Sequence, residues 1–272
     1  MSLAVSRGVG TAFAKAQAES RAALVGYLPA GFPDVPGAID AILAMVDAGV
    51  DIVEVGLPYS DPLMDGPTIQ AAAEWALAGG VRIADVFRTV EAVAATGVPA
   101  LVMTYWNPVE RHGVARFAAS LANAGGAGLI TPDLIPDEAG AWLVAAQEHD
   151  LDRVFLVAPS STEERIAMTA AACRGFVYAT SVMGVTGART QTSVAAPPLV
   201  RRVRAATDLP VGIGLGVSNG DQAAEVAGYA DGVIVGSALV KCLLDADDTA
   251  AGVRAVGVLT ADLAAGVRRG GR

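Results

Sequence analysis

Short apolar runs of Val, Ile and Leu recur along the chain from about residue 22 onward, each followed by a longer alanine-rich segment with apolar positions at helical spacing. Such runs flanked by turn formers read as strands, and the 3.6-residue period reads as helix. The pattern predicts strands at residues 23–28, 52–56, 100–104, 128–131, 154–157, 176–179, 211–213 and 232–235. Between them it predicts helices at 37–48, 69–78, 115–124, 138–149, 163–172, 199–206, 221–227 and 249–267. Eight strands alternating with eight helices in about 250 residues fit a closed (β/α)8 TIM barrel. An open doubly wound sheet is the alternative. Against it, the first strand is followed by Gly26-Tyr-Leu-Pro-Ala-Gly31-Phe-Pro33, with no G-x-G-x-x-G turn. Extra helical segments are predicted at 13–23, 83–95 and 237–245. The first is suited to plug the barrel bottom, and the last is a short helix inserted before the final one. No Ser/Gly/Pro linker divides the chain, so residues 1–272 are expected to form one domain.

One carboxylate interrupts the apolar pattern. Within residues 52–56, alternation puts Val53 and Val55 on one face and Ile52, Glu54 and Gly56 on the other. Glu54 therefore points into a core. An unpaired buried carboxylate costs several kcal/mol or raises its pKa and stays protonated. A structural ion pair would relieve it, but the chain has two lysines, Lys15 and Lys241, and no Arg or His lies near Glu54 in sequence. Chemistry is the better reason for this residue. A proline-stiffened acidic loop follows at once, Pro58-Tyr-Ser-Asp61-Pro62-Leu-Met-Asp65-Gly66-Pro67.

With 53% hydrophobic and 17% charged residues among 272, the chain has ample material for a large core. A formal charge of −9 and a pI near 4.7 argue against nucleic acid or an anionic membrane surface as partner. An anionic small substrate would have to be held by backbone dipoles. The N-terminus lacks a signal-peptide pattern and no apolar run approaches the ~18–20 residues of a membrane helix, so a cytoplasmic location is expected. Cys173 and Cys242 have no metal-ligand spacing and are expected to be buried free thiols. His112, in a loop, and His149, at a helix end, are expected at the surface. No metal site is expected, and acid–base work falls to carboxylates or tyrosines.

Three glycine-rich turns follow the last three strands: Met183-Gly184-Val-Thr186-Gly187, Gly212-Ile-Gly214-Leu-Gly216-Val-Ser218, and Val235-Gly236-Ser237. Ordinary turns would explain any one of them. Together with a short helix beginning near Ser237, they fit the phosphate site that barrels form after strands seven and eight. Lys241 falls four residues into that helix, so backbone donors are expected to dominate. Residues 180–197 show little periodicity, and loops beyond ~12–15 residues are commonly functional, so a lid is expected there, with Arg189 as a possible lid charge.

These blocks resemble the tryptophan synthase α subunit family from about residue 23 to the last helix. The strongest block runs from Glu54-Val-Gly-Leu-Pro58 through Asp65-Gly66-Pro67 to Gln70. Supporting blocks are Tyr105-Trp-Asn107-Pro108, Pro132-Asp133-Leu-Ile-Pro136, Gly184-Val-Thr186-Gly187, Gly214-Leu-Gly216-Val-Ser218 and Gly236-Ser237-Ala-Leu-Val-Lys241. The resemblance implies a (β/α)8 barrel that cleaves indole-3-glycerol phosphate to indole and glyceraldehyde 3-phosphate by a retro-aldol route. It implies no cofactor in this subunit and pyridoxal phosphate only in a β subunit partner, with an α2β2 assembly. Carried over, Glu54 is the general acid/base, Asp65 the catalytic loop aspartate and Tyr178 the tyrosine beside the glutamate. Gly187, Gly216, Gly236 and Ser237 are implied phosphate ligands. Tyr27, Tyr105, Thr186 and Leu215 fall on the indole pocket and lid, and Asp61 is a candidate partner contact. Tyr27 and Leu215 stand where many relatives have phenylalanine.

Burial would raise the pKa of Glu54, while Asp65, in a wetter loop, would stay ionised to hold a ring N–H. Tyr178 is expected to orient Glu54. Other readings are a sugar-phosphate isomerase or epimerase, a stand-alone lyase releasing free indole, and a non-catalytic activator of a β subunit. The absence of His or Lys at the predicted strand ends lowers the first, and the retention of Glu54, Asp65 and Tyr178 together lowers the last.

Overall fold

A computed structural model describes residues 8–180 and 195–271. Eight parallel strands close into a barrel in sequence order, with the first paired to the last. They are β1 (Ala23–Pro29), β2 (Ile52–Gly56), β3 (Ala100–Met103), β4 (Gly128–Thr131), β5 (Asp152–Val157), β6 (Val177–Thr180), β7 (Val211–Gly214) and β8 (Gly232–Val235). The helices are α1 (Gly10–Ala18), α2 (Val35–Asp47), α3 (Pro67–Ala78), α4 (Ile83–Ala94), α5 (Trp106–His112) and α6 (Val114–Asn123), then α7 (Gly140–Glu148), α8 (Glu163–Ala172), α9 (Ala196–Ala206), α10 (Gly220–Ala227), α11 (Ser237–Leu244) and α12 (Thr249–Arg269). The closed order rules out the open sheet.

Strand alternation divides the apolar residues into two cores. Val53, Val55, Val102 and Leu129 face outward into a large layer shared with the helices. Val25, Ile52, Leu101, Ile130, Val154, Phe176 and Ile234 face inward and fill the barrel. The same parity that directs Ile52 inward carries Glu54 inward one layer higher. At the bottom, α1 contributes Val9, Phe13 and Ala16 to the inner core, and the Phe13 and Phe176 rings lie 5.4 Å apart. The first helix is therefore the expected plug. It ends at Ala18 rather than residue 23, because Ser20 takes a left-handed φ of 54° that no helix continues.

The bottom is also fastened by charge. Arg21 grips Asp51 through two bonds, Nη1 to Oδ2 at 2.6 Å and Nη2 to Oδ1 at 2.8 Å, and Asp51 Oδ2 also accepts the Leu24 N–H. Asp152, at the start of β5, accepts the Val9 N–H at 2.8 Å and pairs with Arg174. β5 thus starts two residues before the predicted position, its polar Asp152-Arg153 start having hidden the strand.

Several expectations are corrected. His112 is not in a loop: it ends α5 and packs edge-on against Phe87 and Phe117, with Nε2 buried and without a hydrogen-bond partner among the described residues. The helix predicted from 138 begins at Gly140, because Pro136–Glu138 forms a separate 3₁₀ turn. Cys173 is buried, whereas Cys242 is only half-buried. Contrary to expectation, α12 is long and apolar enough to cross a membrane, with 21 residues and a mean hydropathy of 1.4. Here it packs along α2, α10 and α11 as a barrel helix.

Candidate active site

The C-terminal ends of the strands surround a cavity of about 110 Å³. A single water needs only ~10–15 Å³ measured this way, so the space admits a small organic group. Its walls bring together Tyr27, Glu54, Asp65, Tyr178, Leu215, Gly216, Gly236 and Ser237. All eight were singled out in the sequence.

Glu54 is 1% exposed, and neither carboxylate oxygen has a hydrogen-bond partner among the described residues. Burial alone raises its pKa to about 8, because the low-dielectric wall disfavours the charged form. At neutral pH Glu54 therefore carries a proton it can give. No ion pair involves it among the described residues, so the structural explanation for a strand carboxylate fails.

Asp65 sits at the end of the acidic loop, just before Gly66 caps α3. Its environment is drier than expected: burial raises its pKa, opposed by a hydrogen bond from the Tyr105 hydroxyl. Tyr105 is 4% exposed and lies beneath the loop rather than in the cavity wall. Its hydroxyl accepts the Met64 N–H at 2.9 Å and its own pKa is pushed up to about 12, chiefly by burial. Tyr105 thus anchors the loop that carries Asp65. The Gln70 amide adds a bond to the Asp65 carbonyl at 2.7 Å.

The two inward tyrosines lean over glycines of the next strand. A β-carbon on Gly214 would stand 2.5 Å from the Tyr178 hydroxyl, and one on Gly56 would overlap the Tyr27 hydroxyl. Only glycine leaves room for either phenol. Tyr178 lines the same cavity as Glu54, with no hydrogen bond to its oxygens among the described residues. Burial is the main cause of the raised pKa of both phenols.

Across β1 from Glu54, α11 begins at Ser237 with Gly236 as its N-cap and no side-chain cap among the described residues. Gly216 takes a φ of +76°, which turns the β7 loop toward the same point. A helix start without a side-chain cap among the described residues, in a glycine-lined wall, suits an oxyanion. Lys241 is occupied elsewhere, paired with Asp245 at 2.7 Å. Among the described residues, no three His, Cys, Asp or Glu side chains are grouped to hold a metal. Thr186, Gly187, Arg189 and the centre of the expected lid lie outside the described residues.

Sequence reasoning missed how the loops are stitched together. The Asp133 carboxylate accepts the Trp106 N–H at 2.9 Å and so caps α5, and the Asn107 amide donates to the Tyr59 hydroxyl at 3.1 Å. These contacts span 27 and 48 residues, and only the placement of their partners in loop blocks of the family resemblance hinted at them. Met103 and Leu156, inward residues of β3 and β5, supply the apolar cavity wall. Asp61 is exposed, its carboxylate accepting the Ser60 hydroxyl at 2.6 Å.

The family model described as "Tryptophan synthase alpha chain" matches residues 13–268. The tryptophan synthase alpha chain of Salinispora arenicola is 67% identical over 260 residues, spanning 96% of this chain and 97% of that one. That of Acidothermus cellulolyticus is 64% identical over 262 residues, with 96% and 97% covered. Among solved structures, Mycobacterium tuberculosis tryptophan synthase superposes with a TM-score of 0.90 at 61% identity, covering 96% of this chain and 98% of that one. A mutant tryptophan synthase alpha-subunit from Pyrococcus furiosus gives a TM-score of 0.82 at 32% identity, with 89% and 98% covered.

Proposed function

The chain belongs to the tryptophan synthase alpha chain family, and from that membership we propose that it cleaves indole-3-glycerol phosphate to indole and glyceraldehyde 3-phosphate in tryptophan biosynthesis. The observation that carries this reading is the protonated Glu54, without a hydrogen-bond partner among the described residues, in a cavity that also holds the start of α11, one strand over across β1.

The chemistry needs a proton at the ring carbon that leaves, stabilisation of the positive charge this creates at the ring nitrogen, and removal of the proton from the side-chain hydroxyl next to the breaking bond. Glu54 gives the first proton and, as carboxylate, takes the last. The carbon–carbon pair stays with the indole as its ring is restored, and the side-chain carbon becomes an aldehyde. Asp65, held by Tyr105, accepts the ring N–H and offsets the positive charge. Gly216, Gly236 and Ser237 hold the phosphate, joined by Gly187, and Tyr178 orders the substrate around Glu54. Tyr27 and Leu215 form pocket wall, with Thr186 above. The steps use only side chains of this chain, and pyridoxal phosphate belongs to the β subunit partner.

The whole chain acts as one domain in the cytoplasm, within an α2β2 assembly to which indole is passed, and exposed Asp61 faces that partner. Purified chain supplied with indole-3-glycerol phosphate, alone and with a β subunit, tests the reading. Both products should form, faster with the partner. Rapid release without any effect of the partner would support a stand-alone lyase, and no indole in either condition would remove the lyase reading.

A further inference from the structure

Tyr27 is placed to do more than fill the pocket wall. In the β1–β2 register it stands opposite Glu54. Its ring begins beside the phosphate turn, where a β-carbon on Gly236 would lie 3.2 Å from Tyr27 Cδ1 and 3.4 Å from its Cβ. The ring ends over Gly56, where the hydroxyl occupies the space of the missing side chain. Gly56 is two residues above Glu54 on the same inward face of β2. The phenol therefore spans the wall from α11 to the strand that carries the acid, with its oxygen at the acid's end.

A ligand with its phosphate at Gly236 and its ring at Glu54 and Asp65 must run its connecting carbons along this phenol. We propose that the Tyr27 hydroxyl bonds the substrate hydroxyl next to the breaking carbon–carbon bond, making Tyr27 a specificity-determining residue for hydroxylated side chains. This rests on the reaction proposed above. Burial, with the nearby Asp65 charge, keeps the phenol protonated, so it serves as a donor at working pH. In a dry wall, a ligand without the hydroxyl leaves that donor unpaired, and the site discriminates against it.

The test compares wild type with Tyr27→Phe using two ligands. One is indole-3-glycerol phosphate, followed by indole release. The other is 3-(indol-3-yl)propyl phosphate, which lacks side-chain hydroxyls and is followed by calorimetry. Loss of one hydrogen bond should lower kcat/KM for the hydroxylated substrate by about 10-fold. Affinity for the propyl phosphate should be unchanged or higher, which also shows that the variant is folded. Equal loss for both ligands, or no loss for either, would overturn the assignment. Normal wild-type turnover with an indifferent Tyr27→Phe sinks only the Tyr27 role, whereas a wild type that binds the propyl phosphate but releases no indole sinks the reaction and this role with it.

Discussion

Tyr27 and Glu54 face each other across the β1–β2 pair, a phenol and a carboxyl side by side in the inner wall, with no hydrogen bond to the Glu54 oxygens among the described residues. Neither group is placed for stability. A carboxyl with a folded-state pKa near 8 keeps its proton where the unfolded chain, near 4.5, has lost it. Between those values the folded state binds more protons, so this group's contribution to stability falls as pH rises and is lost above about pH 8. Glu54→Gln should therefore melt close to wild type near pH 4 and above it at pH 8, by an upper bound of roughly 4–5 kcal/mol at ~1.4 kcal/mol per pKa unit. Thermal melts of both proteins at the two pH values check this; a gap that does not widen with pH would show that Glu54 is not buried as a neutral acid.

The same group shapes the pH dependence of turnover. With Glu54 acting first as an acid, kcat/KM should fall as pH rises through about 8. With Asp65 acting as a carboxylate, it should fall again at low pH, at a value above the 3.8 of a free aspartate because burial raises it. A bell with those two limbs is expected. A profile that rises steadily to pH 9 would mean that Glu54 works as a base from the outset.

Tyr105 holds the loop that carries Asp65, through the Met64 N–H and the Asp65 carboxylate. Tyr105→Phe keeps the ring and deletes both bonds, each worth about 0.5–1.5 kcal/mol, or more where a charge takes part. Turnover should fall about 10-fold, with a lower melting temperature and a shifted acid limb. Unchanged kinetics would mean that Asp65 needs no anchor.

At the other end of β2, the side chains of Arg21 and Asp51 are 4% and 10% exposed and joined by two bonds. Arg21→Ala leaves the Asp51 carboxylate short of its partner and should cost about 3–5 kcal/mol of stability. Because this pair lies below the barrel core and Glu54 above it, kcat measured well under the melting point should not move. A large kcat loss with little change in denaturant midpoint would contradict that separation.

What could be read from the sequence followed the reach of each signal. Alternation along residues 52–56 directs Glu54 inward whichever fold closes around it, and a glycine turn before a short helix marks α11 without any distant partner. Asp133 and Trp106 show the opposite case: α5 has seven residues with Pro108 inside it, and its cap comes from another loop. Tyr105 lies past the end of β3 at Met103, where strand alternation gives no direction, and its bond to the Met64 N–H joins residues 41 apart. The drier setting of Asp65 depends on Tyr105 and the surrounding loop, which proline and acid content alone do not reveal.

The account stands on Glu54 as the proton carrier, and the most direct measurement is indole release from indole-3-glycerol phosphate by wild type and Glu54→Gln at pH 7, with binding of 3-(indol-3-yl)propyl phosphate measured on the same samples. Glutamine keeps the shape but carries no transferable proton, so release should fall by roughly 10²- to 10⁴-fold while analogue affinity holds. Release within a few-fold of wild type, at equal analogue affinity, would contradict the account.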